Sequence, residues 1–307
     1  VRSSGPAAQA HEAPTTAAGR PAGSRASTEM AVYRMQAAGI EVLKPLLIWL
    51  HEPGKDITQA SLDRIISTSE SWVVRRQLLR LTGSDLGRIV ADVIAANLTA
   101  APDDLAERVT GHFARLNVTS TYWPGDDEIR RTLATEAAYS RFPRGRLRMF
   151  LEAVEDRYRA ETGQPQIERK GYPIEHLLPR SWKDTWPVGT PEEAEARQAR
   201  VHRFGNLTLL TTSLNSKVSN GPWAAKRSAL QDHNTITLTG RVIKRTEHQV
   251  WDEDLIDQRT AEVVEALLRV WPVPEGHLGN VVDPQMKSDD GVELKHLIDA
   301  GLLSFFF

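Results

Sequence analysis

The sequence predicts a mainly α protein with a small α+β part, a helical domain over residues 29–162 followed by a compact mixed domain over 163–272. Three observations predict it. Apolar residues recur at three-to-four spacing from about residue 30 to 162, the period of a helix face. Gly163, Pro165, Gly171 and Pro173 then fall within eleven residues, which is turn chemistry. Beyond them lie two short β-prone runs, Ile174-Glu175-His176-Leu177-Leu178 and Gly205-Asn206-Leu207-Thr208-Leu209-Leu210.

Taken in order, residues 1–28 are dominated by Ala, Gly, Pro, Ser and Thr and hold almost no large apolar side chain. Such a segment buries too little surface to offset its ordering entropy, so it is expected to be disordered. Val32, Met35 and Ile40 open the helical pattern, and Val42, Leu43, Leu46, Leu47 and Leu50 continue it. Leu62, Ile65, Ile66, Val73, Leu78 and Leu79 mark a further helix, with Thr58 as its N-cap and Gly83 at its end. Helices are expected at 85–98, 103–117, 126–139 and 145–161, separated by Pro102 and by Pro124 with Gly125. Residues 235–244 alternate apolar and polar around Gly240 and read as a small hairpin. Residues 255–271 read as a final amphipathic helix, 273–291 as a Pro/Gly/Asp-rich linker, and 292–307 as the start of a further domain.

Composition narrows the chemistry. The chain has no cysteine, which excludes disulfides, thiolate zinc sites, iron–sulfur clusters and a Cys nucleophile. The net charge of −2 excludes a global basic field, so a polyanion surface must be local. The longest apolar run, residues 45–50, is far shorter than the ~20 residues that span a bilayer. With no secretory pattern at the start, a cytoplasmic location and no membrane partner are expected. Residues 196–231 contain no Asp or Glu and six basic residues, Arg197, Arg200, Arg203, Lys217, Lys226 and Arg227. Arg141, Arg144, Arg146 and Arg148 form a second acid-free cluster upstream.

The mixed domain carries the chemistry. A short strand delivers adjacent Glu175 and His176 and stops at Pro179. A second strand opens on Gly205-Asn206, and Leu214-Asn215-Ser216-Lys217 follows, with Asn215 nine residues after Asn206. Strand, strand, then a helix bearing a polar ligand is the layout of a ββα metal site for phosphodiester hydrolysis. That reaction needs a base for water, and a neutral His serves near pH 7. It also needs a cation against the charge that grows on the phosphate. A carboxylate and an amide oxygen suit a hard ion such as Mg²⁺. Adjacent strand residues point to opposite faces, so Glu175 and His176 share one site only where the strand ends or twists. Asn215 fits either a metal ligand or an N-cap, and Asn206 either a structural or a site role. His202, Arg203, Lys217, Asn220 and Lys226 are candidate DNA phosphate contacts, each set against plain surface.

At these residues the sequence resembles the HNH (His-Me finger) nucleases. Within them it resembles the C-terminal domain of GmrSD-type, modification-dependent restriction endonucleases, an arrangement shared by SspE-like defence proteins. The resemblance rests on Ile174-Glu175-His176-Leu177-Leu178-Pro179, on His202-Arg203-Phe204-Gly205-Asn206-Leu207-Thr208-Leu209-Leu210, and on Leu214-Asn215-Ser216-Lys217 with Ser219 and Asn220. Trp223, Lys226 and residues 251–271 extend it. It implies that His176 is the general base and that Glu175 and Asn215 are ligands to Mg²⁺ or Mn²⁺. It implies too that Asn206 is the middle Asn, which tethers the loop and orients the His. Glu stands where Asp is commoner, and no Cys pairs brace the hairpin. The implied function is a metal-dependent DNA endonuclease in restriction. The alternative is a non-catalytic helical scaffold that holds DNA.

Residues 30–162 resemble, more loosely, the helices that join a nucleotide-hydrolysing sensor domain to the nuclease in those proteins. Ser71-Trp72-Val73-Val74-Arg75-Arg76 and Leu151-Glu152-Ala153-Val154-Glu155 carry this likeness. No Gly-x-x-x-x-Gly-Lys loop is present, so the sensor is expected on a missing N-terminal domain or a partner chain. Residues 292–303 resemble the opening of a small appended domain, cut short by Phe305-Phe306-Phe307, as in a fragment or split reading frame.

Overall fold

A computed structural model describes residues 27–217 and 221–282. Thirteen helices and one two-stranded sheet are seen among them. The low-complexity segment lies outside the described residues, except that Ser27 and Thr28 already belong to α1 (Ser27–Ala38). Gly39, at φ +69°, ends α1 in the left-handed conformation that glycine adopts without strain. Pro45 fits the first turn of α2 (Lys44–Leu50). Thr58 caps α3 (Gln59–Leu78) by accepting from the Ser61 backbone N–H at 3.2 Å. This helix stops short of Gly83, with Arg80 turning the chain at φ +57°.

α4 (Leu86–Ala95) and α5 (Leu105–Ala114) complete a bundle around Trp72, which stacks on Phe113 at 4.5 Å. The expected helix 126–139 is two, α6 (Asp126–Leu133) and α7 (Ala138–Arg141), ahead of α8 (Arg144–Ala160). Two buried arginines lock this part together. Arg75 donates to the carbonyls of Trp271 and Pro124 and to Asp126. Arg76 donates to carbonyls of the 119–122 loop. Carbonyls that would otherwise be buried without donors are thereby satisfied.

β1 (Ile174–His176) pairs antiparallel with β2 (Leu207–Leu209), and Glu175 lies opposite Thr208. α9 (Pro191–Arg200) starts at a capping box of Thr190 and Glu193. α10 (Thr212–Lys217), α11 (Trp223–His233), α12 (Thr237–Arg245) and α13 (Glu253–Val270) follow. The expected hairpin at 235–244 is α12, a helix. The buried Glu155 carboxylate of α8 accepts from the backbone N–H groups of Thr237 and Leu238. A charge at that end satisfies orphan donors and favours the helix dipole, which overrides a β-like local pattern.

One apolar core crosses residue 163. Phe150, Leu151 and Val154 of α8 pack with Phe204, Leu207 and Leu209, and with Val263 and Leu267 of α13. The 3₁₀ turn 204–206 lies so close to α13 that a Cβ on Gly205 would fall 1.9 Å from the Ile256 carbonyl oxygen. The segment after α13 is no free linker as far as it is described. His277 bonds to the Trp123 carbonyl at 2.8 Å, and the Val282 N–H donates to the Asn117 carbonyl. Residues 292–307 lie outside the described residues. Among the described residues, no helix is long and apolar enough to cross a membrane.

Candidate active site

β1 ends at His176, and the chain then leaves the sheet because a buried carboxamide holds it. Asn206 Oδ1 accepts from the Leu178 N–H at 2.7 Å and from the Trp251 indole N–H at 3.2 Å. Its Nδ2 donates to the carbonyls of Leu178 and Val201, both at 2.8 Å. Two donors and two acceptors exhaust the side chain, and Asn206 is fully buried. It faces inward as a brace for the 177–178 loop rather than into the site.

The strand end forms one wall of a polar cleft of about 610 Å³. Glu175, His176, Arg180, Ser181, Gln198 and His202 line it together with Tyr139 of α7. His176 is 6% exposed, and its Nε2 lies 3.2 Å from His202 Nδ1. One ring donates and the other accepts. The Tyr139 ring meets His176 edge-on at 4.2 Å and stacks on His202 at 5.6 Å. The Tyr139 backbone N–H donates to the His202 carbonyl at 3.0 Å, so the short helix α7 is fastened to the site. Burial first, then His202, Arg180, Lys226 and Arg144, push the His176 imidazole down to about 3. His202 is lowered too, by burial, Arg180 and Arg144. His176 is therefore neutral at physiological pH.

Glu175 meets a different partner. Its carboxylate lies 2.7 Å from the ammonium of Lys226, a side chain with no exposure, which also donates to the His176 carbonyl. Burial lowers the Lys226 pKa against the opposing pull of Glu175. Lys226 is thus closed off from a DNA backbone, which corrects its reading as a phosphate contact.

Arg203 is likewise engaged. Its Nη1 is 2.5 Å from Asp257, and Arg200 pairs with the same carboxylate at 2.8 Å. Arg197 pairs with Glu253. The acid-free window is thus supplied with acids by the first turns of α13. Asn215 sits half-buried on α10 and is not among the residues lining the cleft. Its side chain makes no hydrogen bond among the described residues. The Lys217 side chain and Asn220 lie outside the described residues.

Two guanidinium groups stand near the site instead, Arg180 in the cleft lining and Arg144 outside that lining, on the Tyr139 ring. Arg144 lies over the Tyr139 ring at 3.4 Å and Arg180 at 5.8 Å. Both residues are exposed, and among the described residues neither has a carboxylate partner. Arg144 had a weak signal in the upstream acid-free cluster. Tyr139, Ser181 and Gln198 had none. Among the described residues, no three His, Asp or Glu side chains are grouped to hold a metal.

Residues 123–266 match the family described as GmrSD restriction endonucleases, C-terminal domain. The match begins at Trp123 and so takes in α6, α7 and α8 as well as the sheet. No curated protein and no solved structure matches the chain.

Proposed function

Residues 123–266 are a GmrSD-type restriction endonuclease C-terminal domain, and from that premise we propose that they hydrolyse DNA phosphodiester bonds in a divalent-metal-dependent reaction of the HNH kind. The observation that carries this reading is the His176–His202 pair, held neutral in an open polar cleft beside Glu175. An unprotonated imidazole can accept a proton from water. His202 at 3.2 Å and the edge of Tyr139 hold the His176 ring in place. Asn206 acts one step removed, as a positioning residue that fixes the backbone on which His176 ends.

The donor chemistry fits a hard cation. Glu175 is the carboxylate lining the cleft, and the Asn215 amide is uncommitted among the described residues. Mg²⁺ is commonly held by one or two protein oxygens, with waters and substrate phosphate completing its shell. Glu175 would hold Mg²⁺ or Mn²⁺ at the cleft, and Asn215, which does not line it, is the second ligand the resemblance implies. When bound, the ion would stabilise negative charge on the scissile phosphate and the leaving oxygen. Phosphate contacts carry no base information, so target choice would rest with a nucleotide-hydrolysing sensor domain, on this chain or a partner. The role would then be restriction of foreign or modified DNA.

Plasmid nicking with Mg²⁺ or Mn²⁺, wild type against His176→Ala, tests the reading. Nicking by the wild type alone supports it, and equal nicking by both refutes it. One observation favours a second reading, a DNA-holding scaffold without catalysis. Lys226 already satisfies Glu175 without any metal. Calorimetry with Mn²⁺ separates the two, since the scaffold would bind none while still binding DNA in a salt-dependent way.

A further inference from the structure

Two of the five residues expected to meet the DNA backbone are spoken for. Lys226 is buried against Glu175, and Arg203 shares Asp257 with Arg200. Three of the four upstream arginines are less available. Arg141 pairs with Glu136, and the half-buried Arg146 and Arg148 donate to the Ala38 and Tyr172 carbonyls, whereas Arg144 is exposed.

Arg144 and Arg180 differ. They come from opposite sides of residue 163 and converge on one ring, Tyr139, at the mouth of the cleft that holds His176 and His202. Arg144 is held by the Tyr139 and Phe142 carbonyls and by the ring face. Those contacts orient its guanidinium without neutralising it. Arg180 has no hydrogen bond among the described residues. A planar guanidinium with open donors matches a phosphate better than it matches water.

Resting on the nuclease reading above, we propose that Arg144 and Arg180 form the clamp that holds a DNA phosphate over the His176–His202 cleft, with Tyr139 as the spacer between them. The helical segment then supplies part of the DNA site itself, through α7 and the first residue of α8. No base is read there, so the clamp holds any sequence alike.

The test is binding of a fluorescein-labelled DNA duplex to the whole chain in EDTA, measured by anisotropy across a salt series. Each lost phosphate contact should lower the slope of log affinity against log salt by ~1. Arg144→Gln with Arg180→Gln should lower it by about 2, and Arg203→Gln should leave it unchanged. Arg180→Gln alone should lower it by about 1. It decides the matter if the double variant melts early, since Arg180 bonds to nothing the fold depends on. An unchanged slope in Arg180→Gln overturns the clamp, as does a wild type that binds no duplex. Duplex RNA held more tightly than DNA, with the same dependence on the two arginines, overturns the commitment to DNA. Plasmid nicking run alongside separates the failures. Nicking lost with His176→Ala but DNA binding indifferent to Arg180 sinks the clamp and leaves the nuclease standing.

Discussion

Two sets of arginines in this protein have opposite electrostatic settings. Arg197, Arg200 and Arg203 lie in a stretch of sequence free of acids, yet each is paired with a carboxylate of α13 more than fifty residues away. Arg144 and Arg180 sit next to the cleft with no carboxylate partner among the described residues. Charge counted along a chain measures what can be unpaired. Only the fold decides what is, because a guanidinium a few ångströms from a carboxylate offers a phosphate little net field.

Substitutions break or sharpen that contrast. The largest effect belongs to the His176 imidazole, beside which Arg180 lines the cleft. Under the nuclease reading, His176→Ala should slow DNA cutting by roughly 10²–10⁴-fold, while duplex affinity in EDTA stays as in the wild type. Retained cutting would overturn His176 as the base.

Next comes an arginine used wholly for structure. Arg75→Met leaves the Trp271 and Pro124 carbonyls without their donor. It should cost about 3 kcal/mol in a urea melt, with no fall in the salt slope of DNA binding by whatever protein remains folded.

A smaller loss tests the paired set directly. Asp257→Asn removes the shared partner of Arg200 and Arg203. Stability should drop by about 1 kcal/mol, discounted because Asp257 is over a third exposed. The salt slope should not change. A steeper slope would mean that these arginines also reach DNA once freed, and the contrast would collapse.

The mildest effect is a pH dependence. Burial alone would raise the Glu253 carboxyl, but the Arg197 hydrogen bond, its own backbone N–H and the charges of Arg197 and Arg200 outweigh it, for a net lowering. A carboxyl lowered in the folded state adds stability above its unfolded pKa and loses it as pH falls through the folded value. Glu253→Gln should therefore lower the melting temperature slightly at neutral pH and converge with wild type in acid. Parallel curves would deny the pairing.

Much of the site was legible because its parts are local. Glu175 and His176 are adjacent, and Gly205-Asn206 opens the second strand; outside the site, Thr58 caps the helix that follows it, as its position implied. What escaped was set by distance along the chain. Glu155 caps α12 from 82 residues upstream, which no reading of 235–244 alone reveals. Tyr139 reaches the site through a backbone bond to His202 and carries no motif. Lys226 looked like an open cation until its exposure was known. The expected helix 126–139 broke at Ala134, and α7 after it carries Tyr139 into the cleft lining.

The contact beneath Gly205 has a consequence of its own. With the Ile256 oxygen 1.9 Å from where a Cβ would stand, and Thr260 Oγ1 at 2.5 Å, not even alanine can be accommodated unless α13 backs away. A saturation library at this position should return a single permitted letter, and the intolerance would come from geometric exclusion alone, at a residue that performs no chemistry.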